Sequence, residues 1–215
     1  MDDLKQAVLA SRVIVILRGI ELGDMVNTAQ ALYDGGVRLI EVTFDPRGEH
    51  GGERTLRAIA LLRERFSGRL HVGAGTVLSV RNVEDAVRAG AQYLISPNVD
   101  GRVIERTKQL GALSVPGAMT PSEAVAAHAF GADFVKLFPA NLLGPAYLKA
   151  VCAPLPHIPF LAVGGIDESN ARDYILAGAC GVGVGGSLVS PETVRRGEYS
   201  RMRERAARIV DAVGP

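Results

Sequence analysis

Eight short apolar or β-branched runs recur along this chain, and their spacing leaves few folds open. They begin at Arg12, Arg38, Leu70, Gln92, Ala112, Asp133, Pro159 and Gly181, so successive starts lie 26, 32, 22, 20, 21, 26 and 22 residues apart. Each interval holds one strand, one helix and two short connections. The amphipathic stretches between the runs stop at glycine. Gly35-Gly36, Ala89-Gly90, Phe130-Gly131 and Ala177-Gly178 all sit where a helix ends in a left-handed turn. Helix starts are marked as well. Thr120-Pro121-Ser122-Glu123 combines an N-cap, a proline at the first helical position and an acidic third position. Ser190-Pro191-Glu192 opens the last helical region, and Asp167 or Ser169 is placed to cap the helix that runs to Gly178. A further helix over 2–10 precedes the first run. The pattern predicts one α/β domain over residues 1–215, a (β/α)8 TIM barrel with an extra N-terminal helix. A doubly wound open sheet is the runner-up, but Leu17-Arg18-Gly19-Ile20 is not the glycine fingerprint such a sheet carries after its first strand.

Composition narrows the function. Twenty-four Lys+Arg against 23 Asp+Glu give a net charge of +1, which exerts no general pull on nucleic acid or membranes. The arginines between 195 and 208 are interrupted by Glu198 and Glu204 and read as a solvated helix face. No apolar run approaches the roughly 18–20 residues of a membrane span. The acidic start Met1-Asp2-Asp3 is unlike a signal peptide. Cys152 and Cys180 form no Cys-x-x-Cys pair, and Cys180 reads as packing. A cytoplasmic location is expected. His50, His71, His128 and His157 are scattered without metal-ligand spacing, so neither a metal nor another cofactor is expected.

Barrel enzymes carry their chemistry at the carboxyl ends of the strands, so polar residues there are the ones to question. Only four residues are lysine, and Lys5, Lys108 and Lys149 fall in predicted helices, where solvation is ordinary. Lys136 instead lies within Phe134-Val135-Lys136-Leu137-Phe138. On a sheet edge it would snorkel to water. Inside a barrel it loses solvation as a cation, its pKa falls, and the neutral amine becomes a nucleophile suited to a Schiff base with a carbonyl substrate. Strand alternation sets Leu39, Glu41 and Thr43 on one face, and the helix-facing side should be apolar, so that face looks inward. Glu41 is then either a carboxylate paired with a rim arginine or the proton-transfer partner of Lys136. Arg18 follows the first run and Thr76 ends Gly73-Ala74-Gly75-Thr76, whose glycines would let the backbone approach a ligand. An arginine with a hydroxyl suits a carboxylate. Gly164-Gly165 follows the seventh run and Gly185-Gly186-Ser187 the eighth, the positions of the recurring phosphate site of such barrels. The alternative for these glycines is that they serve tight turns alone.

Taken together, Ile16-Leu17-Arg18-Gly19, Ile40-Glu41-Val42-Thr43, Gly73-Ala74-Gly75-Thr76-Val77, Ile95-Ser96-Pro97, Pro116-Gly117, Val135-Lys136-Leu137-Phe138-Pro139-Ala140 and Val163-Gly164-Gly165-Ile166 resemble the 2-keto-3-deoxy-6-phosphogluconate (KDPG) aldolases. These are Schiff-base enzymes, and the family includes 4-hydroxy-2-oxoglutarate aldolase activity. The resemblance covers nearly the whole chain. It implies a Schiff-base lysine at Lys136, an acid/base at Glu41, carboxylate contacts at Arg18 and Thr76, and a pocket lined by Pro97 and Phe138 beside Thr43 and Val163. It also implies a phosphorylated 2-keto-3-deoxy sugar acid as substrate and a homotrimer.

Two departures bear on the substrate. Some members carry an arginine two residues after the threonine of this motif, where this chain has Asp45. The following segment over 45–53 then reads either as a lid bringing Arg47 or His50 over the substrate or as a plain solvated loop. Some gluconate-type members have threonine before Gly-Gly-Ile, where Val163 offers no hydrogen bond. The galactonate epimer is therefore the near alternative. A phosphate-binding barrel isomerase or synthase without a Schiff base is the alternative from another class.

Overall fold

The structure, a computed structural model, describes residues 2–45 and 51–214. Arg47 and His50 of the expected loop lie outside the described residues. Its last part, 51–53, is already helical. The strands are β1 (Val13–Leu17), β2 (Leu39–Thr43), β3 (His71–Gly75), β4 (Tyr93–Ile95), β5 (Leu113–Val115), β6 (Gly117–Ala118), β7 (Val135–Leu137), β8 (Phe160–Val163) and β9 (Gly181–Val184). All pairings are parallel, in the order β5-β4-β3-β2-β1-β9-β8-β7-β6.

The fifth expected strand is split at Pro116, which has no N–H to contribute to the ladder. The two halves face different neighbours: β5 pairs with β4 and β6 with β7. Hydrogen bonds still run across the split. The Pro116 carbonyl accepts from the Lys136 N–H at 2.9 Å and the Ser114 carbonyl from the Asp133 N–H at 2.9 Å. Nine short strands thus make a nearly closed barrel of eight, and the open sheet is set aside.

Helices α1 (Asp2–Ser11), α2 (Met25–Asp34), α3 (Gly51–Arg65), α4 (Val80–Arg88) and α5 (Gly101–Gln109) serve the first half. The second half has α6 (Pro121–Ala129), α7 (Ala140–Cys152), α8 (Ala171–Leu176), α9 (Pro191–Arg195) and α10 (Tyr199–Val213). The predicted capping box forms at α6, where Thr120 and Glu123 bond reciprocally, and Ser190 caps α9 through the Thr193 N–H. At α8 the N-cap is Asn170, without a side-chain cap bond, and not Asp167 or Ser169. The Asp167 carboxylate is occupied within the turn, accepting from the Ser169 N–H at 2.8 Å.

Alternation along the strands separates two apolar layers. Val13, Val15, Ile40, Val42, Val135 and Leu137 point outward against the helices. Ile14, Leu39, Leu113, Phe134 and Leu161 fill the interior, joined by Val8 of α1, which closes the amino-terminal end. An ion pair fastens that plug. The Asp133 side chain, 2% exposed, takes Lys5 of α1 at 2.7 Å and also Lys108 of α5. These two lysines are not merely solvated helix residues, as their helical positions suggested.

Candidate active site

Parallel strands bring their carboxyl ends to one mouth, and the polar residues singled out above collect there. A cavity of about 490 Å³ is lined by Arg18, Glu41, Thr76, Pro97, Lys136 and Phe138, together with Val163 and the glycine turns after β8 and β9. Lys136 and Glu41 stand on the interior face of β7 and β2, 8% and 2% exposed. The Lys136 Nζ lies 4.6 Å from the centre of the Phe138 ring. Burial pushes the Lys136 amine below its ordinary range, Glu41 pulls it back, and Arg18 pushes it down again. Burial pushes the Glu41 carboxyl up, against the opposing charges of Lys136 and Arg18 and the Thr43 hydroxyl. Each group is therefore driven toward its neutral form, an arrangement that supplies a nucleophilic amine beside a carboxyl able to take and return a proton.

Arg18 and Thr76 meet: the guanidinium donates to the Thr76 hydroxyl at 3.3 Å. Thr76 has φ of 57°, a left-handed conformation costly for a residue with a branched side chain. Its glycine neighbours do not serve the purpose expected of them. A Cβ on Gly75 would fall 1.5 Å from Glu41 Oε1, and one on Gly73 would fall 2.2 Å from the Tyr93 ring. They make room for the protein's own side chains and not for a ligand's approach. Thr43 also departs from expectation. It does not line the main cavity but donates to Glu41 Oε1 at 3.3 Å from its own strand, while its carbonyl accepts from Thr55.

The two glycine turns face the same cavity, the one after β9 beside Arg18, because β9 pairs with β1. Gly164 and Gly165 have φ of 104° and 67°, and a Cβ on Gly165 would fall 2.5 Å from Asn141 Cβ. Ser187 is not free to reach a ligand with its hydroxyl proton, because it donates to the Ile166 carbonyl at 2.6 Å and ties the two turns together. Sequence reasoning missed Ser190 and Pro191, which also line the cavity, and Tyr93 beneath it. A phenol in the run Tyr93-Leu94-Ile95 was visible, but three residues are too few to tell inward from outward by alternation. No group of three or more His, Cys, Asp and Glu side chains gathers as a metal site among the described residues, and no helix there is long and apolar enough to cross a membrane.

With this geometry in hand, comparison with known proteins is informative. Residues 4–205 match the family described as KDPG and KHG aldolase. The 2-dehydro-3-deoxy-phosphogluconate aldolase of Treponema pallidum is 34% identical over 221 residues, covering 100% of this chain and 99% of that protein. The 2-dehydro-3-deoxy-6-phosphogalactonate aldolase of Escherichia coli is 34% identical over 201 residues, 93% of each. Among solved structures, KDPG aldolase from Legionella pneumophila, captured with pyruvate as a covalent carbinolamine, superposes with a TM-score of 0.85 at 30% identity over 95% of this chain and 97% of that one.

Proposed function

The chain belongs to the KDPG and KHG aldolase family, and from that membership we propose that its site cleaves 2-keto-3-deoxy-6-phosphogluconate to pyruvate and glyceraldehyde 3-phosphate. Members of the family are carbon–carbon lyases. One observation carries the site assignment: a lysine held below the amine range inside an apolar strand shares a cavity with a buried carboxyl.

In this reading the neutral Lys136 amine attacks the C2 ketone, and the carbinolamine loses water to give an iminium. Glu41 gives its proton to the hydroxyl that leaves the carbinolamine as water, and the carboxylate so formed takes the proton of the C4 hydroxyl. The C3–C4 electron pair then flows into the iminium, releasing the aldehyde and leaving an enamine. Protonation at C3 and hydrolysis of the iminium free pyruvate and restore the amine. Arg18 with Thr76 holds the substrate carboxylate, and Pro97, Phe138 and Val163 shape the pocket between the anchors. The backbone N–H groups of Gly164, Gly165, Gly185 and Gly186, with that of Ser187, hold the distal phosphate. Thr43 acts through Glu41.

An isomerase or synthase without a Schiff base would have no use for Lys136 in that setting. The galactonate epimer and 4-hydroxy-2-oxoglutarate are the further substrates this site admits. The resemblance also supports a homotrimer, and light scattering in solution should return the mass of three 22.7 kDa chains. The site itself is tested by borohydride reduction in the presence of pyruvate. Activity should be lost irreversibly, with the adduct mapped to Lys136. An adduct only on Lys5, Lys108 or Lys149, or full activity in Lys136→Met, overturns the assignment.

A further inference from the structure

Below the mouth, the barrel interior holds a phenol that the reaction as described does not use. Tyr93 is 1% exposed, and its hydroxyl, although near the Gly73 N–H, makes no hydrogen bond of ordinary geometry to the protein's atoms. Glu41 Oε2 likewise makes none. Buried polar atoms are ordinarily paired, so two open ones in one small interior ask what joins them.

Their placement answers that. Glu41 is level with Gly73 in the β2–β3 register, and Tyr93 immediately precedes Leu94, which pairs with Ala74. Tyr93 is therefore level with Gly73 from the other side. The Tyr93 ring occupies the space a side chain at Gly73 would need, and the Glu41 carboxylate occupies the space at Gly75. Positions 73 and 75 share one face of β3, about 7 Å apart at the strand rise. Ring and carboxylate thus lie side by side on the same glycine-cleared surface. Charge on Glu41 is felt at the Tyr93 hydroxyl, and together with burial it keeps the phenol protonated across the neutral range.

We infer that Tyr93 is a positioning residue for the proton transfer: its hydroxyl donates, through one buried water, to Glu41 Oε2, which eases ionisation of the carboxyl against the burial that opposes it and aims it at the mouth. Two polar partners are the minimum a buried water needs, and these two atoms supply them. The phenol keeps its proton throughout. The inference rests on Glu41 being the proton carrier. The groups facing Glu41 are Lys136 from β7, Arg18 at the end of β1, Thr43 on its own strand and Tyr93 from β4. Arg18 and Lys136 line the cavity with Glu41, whereas Thr43 and Tyr93 do not, and Tyr93 belongs to the apolar cluster of the barrel interior.

Tyr93→Phe keeps the ring and removes the donor. The acid limb of kcat/KM should move to higher pH by about 0.5–1 unit, because a carboxylate that loses a donor is easier to protonate. The kcat should fall about tenfold or more while KM changes by less than about twofold. An acid limb identical to the wild type, with Glu41→Gln inactive, overturns this inference alone. Full activity in Glu41→Gln overturns the proton-carrier reading and this one with it. A measurement on the native tyrosine covers the case in which Tyr93→Phe does not fold. The infrared difference spectrum between wild type and Glu41→Gln should show a shifted tyrosine C–O band, and an unshifted band counts against the link.

Discussion

Burial acts on Glu41 and Lys136 in one sense, pushing the carboxyl up and the amine down, and the protein bears a stability cost for both. The sign for Glu41 follows from linkage. Its pKa is raised in the folded chain, so the fold favours the protonated form, and stability falls as pH rises from the unfolded value through the folded one. Glu41→Gln, neutral at every pH, should therefore melt higher than the wild type at pH 8, and the two should converge near pH 4. The same substitution should lower turnover by roughly 10²–10⁴, the usual size of a general acid/base contribution. Calorimetry beside steady-state kinetics separates the two effects. A variant that is destabilised yet fully active per folded molecule would show that Glu41 serves structure alone.

Strand β3 is the element that makes this site possible, and it does so by leaving side chains out. Its interior face carries Gly73 and Gly75, whose missing Cβ atoms admit the Tyr93 ring and the Glu41 carboxylate. The two positions should fail differently when filled. Gly73→Ala wedges a methyl into a packed aromatic ring and should cost about 1–3 kcal/mol of stability, as overpacking does. Gly75→Ala displaces a carboxylate near the mouth, where there is space to move, so it should cost turnover more than stability. Urea denaturation with kcat for both variants tests this, and an unimpaired kcat in Gly75→Ala would remove the glycine from the mechanism. At the other end of the barrel, α1 carries both the Val8 plug and the Lys5 contact to Asp133, so an element outside the repeating pattern closes the floor.

Across the whole molecule, the barrel brings the Arg18–Thr76 pair after β1 and β3 and the glycine turns after β8 and β9 around one cavity, and the proposed function uses them as two anchors. A substrate held at both ends presents its C4 hydroxyl between them. In that proposal Val163, which lines the cavity, offers C4 shape but no hydrogen bond. We expect both C4 epimers to be cleaved with kcat/KM within about tenfold, a difference of only ~1.4 kcal/mol. Unphosphorylated 4-hydroxy-2-oxoglutarate should be poorer, since it forfeits the binding energy of the remote anchor. The kcat/KM values of the three compounds decide it. A preference above about a hundredfold for one epimer would mean that another residue reads C4, and equal efficiency without phosphate would take the glycine turns out of the mechanism.

What the sequence determined by itself is what local chemistry controls. Strand and helix spacing, the capping box at Thr120, the helix start at Ser190 and the inward parity of Glu41 depend on residues within a few positions of one another. Even the order of the two glycine turns could be counted along the chain. Tertiary structure alone decided the rest, because it turned on contacts between elements distant in the chain. Whether Gly75 makes room for a ligand or for Glu41 depends on how β2 and β3 align. Whether Lys5 and Lys108 are solvated or joined on Asp133 depends on where α1 and α5 meet the barrel floor. Tyr93 approaches Glu41 only because β2 and β4 flank β3 in a register that sets both side chains over its glycines, and no local pattern encodes that alignment.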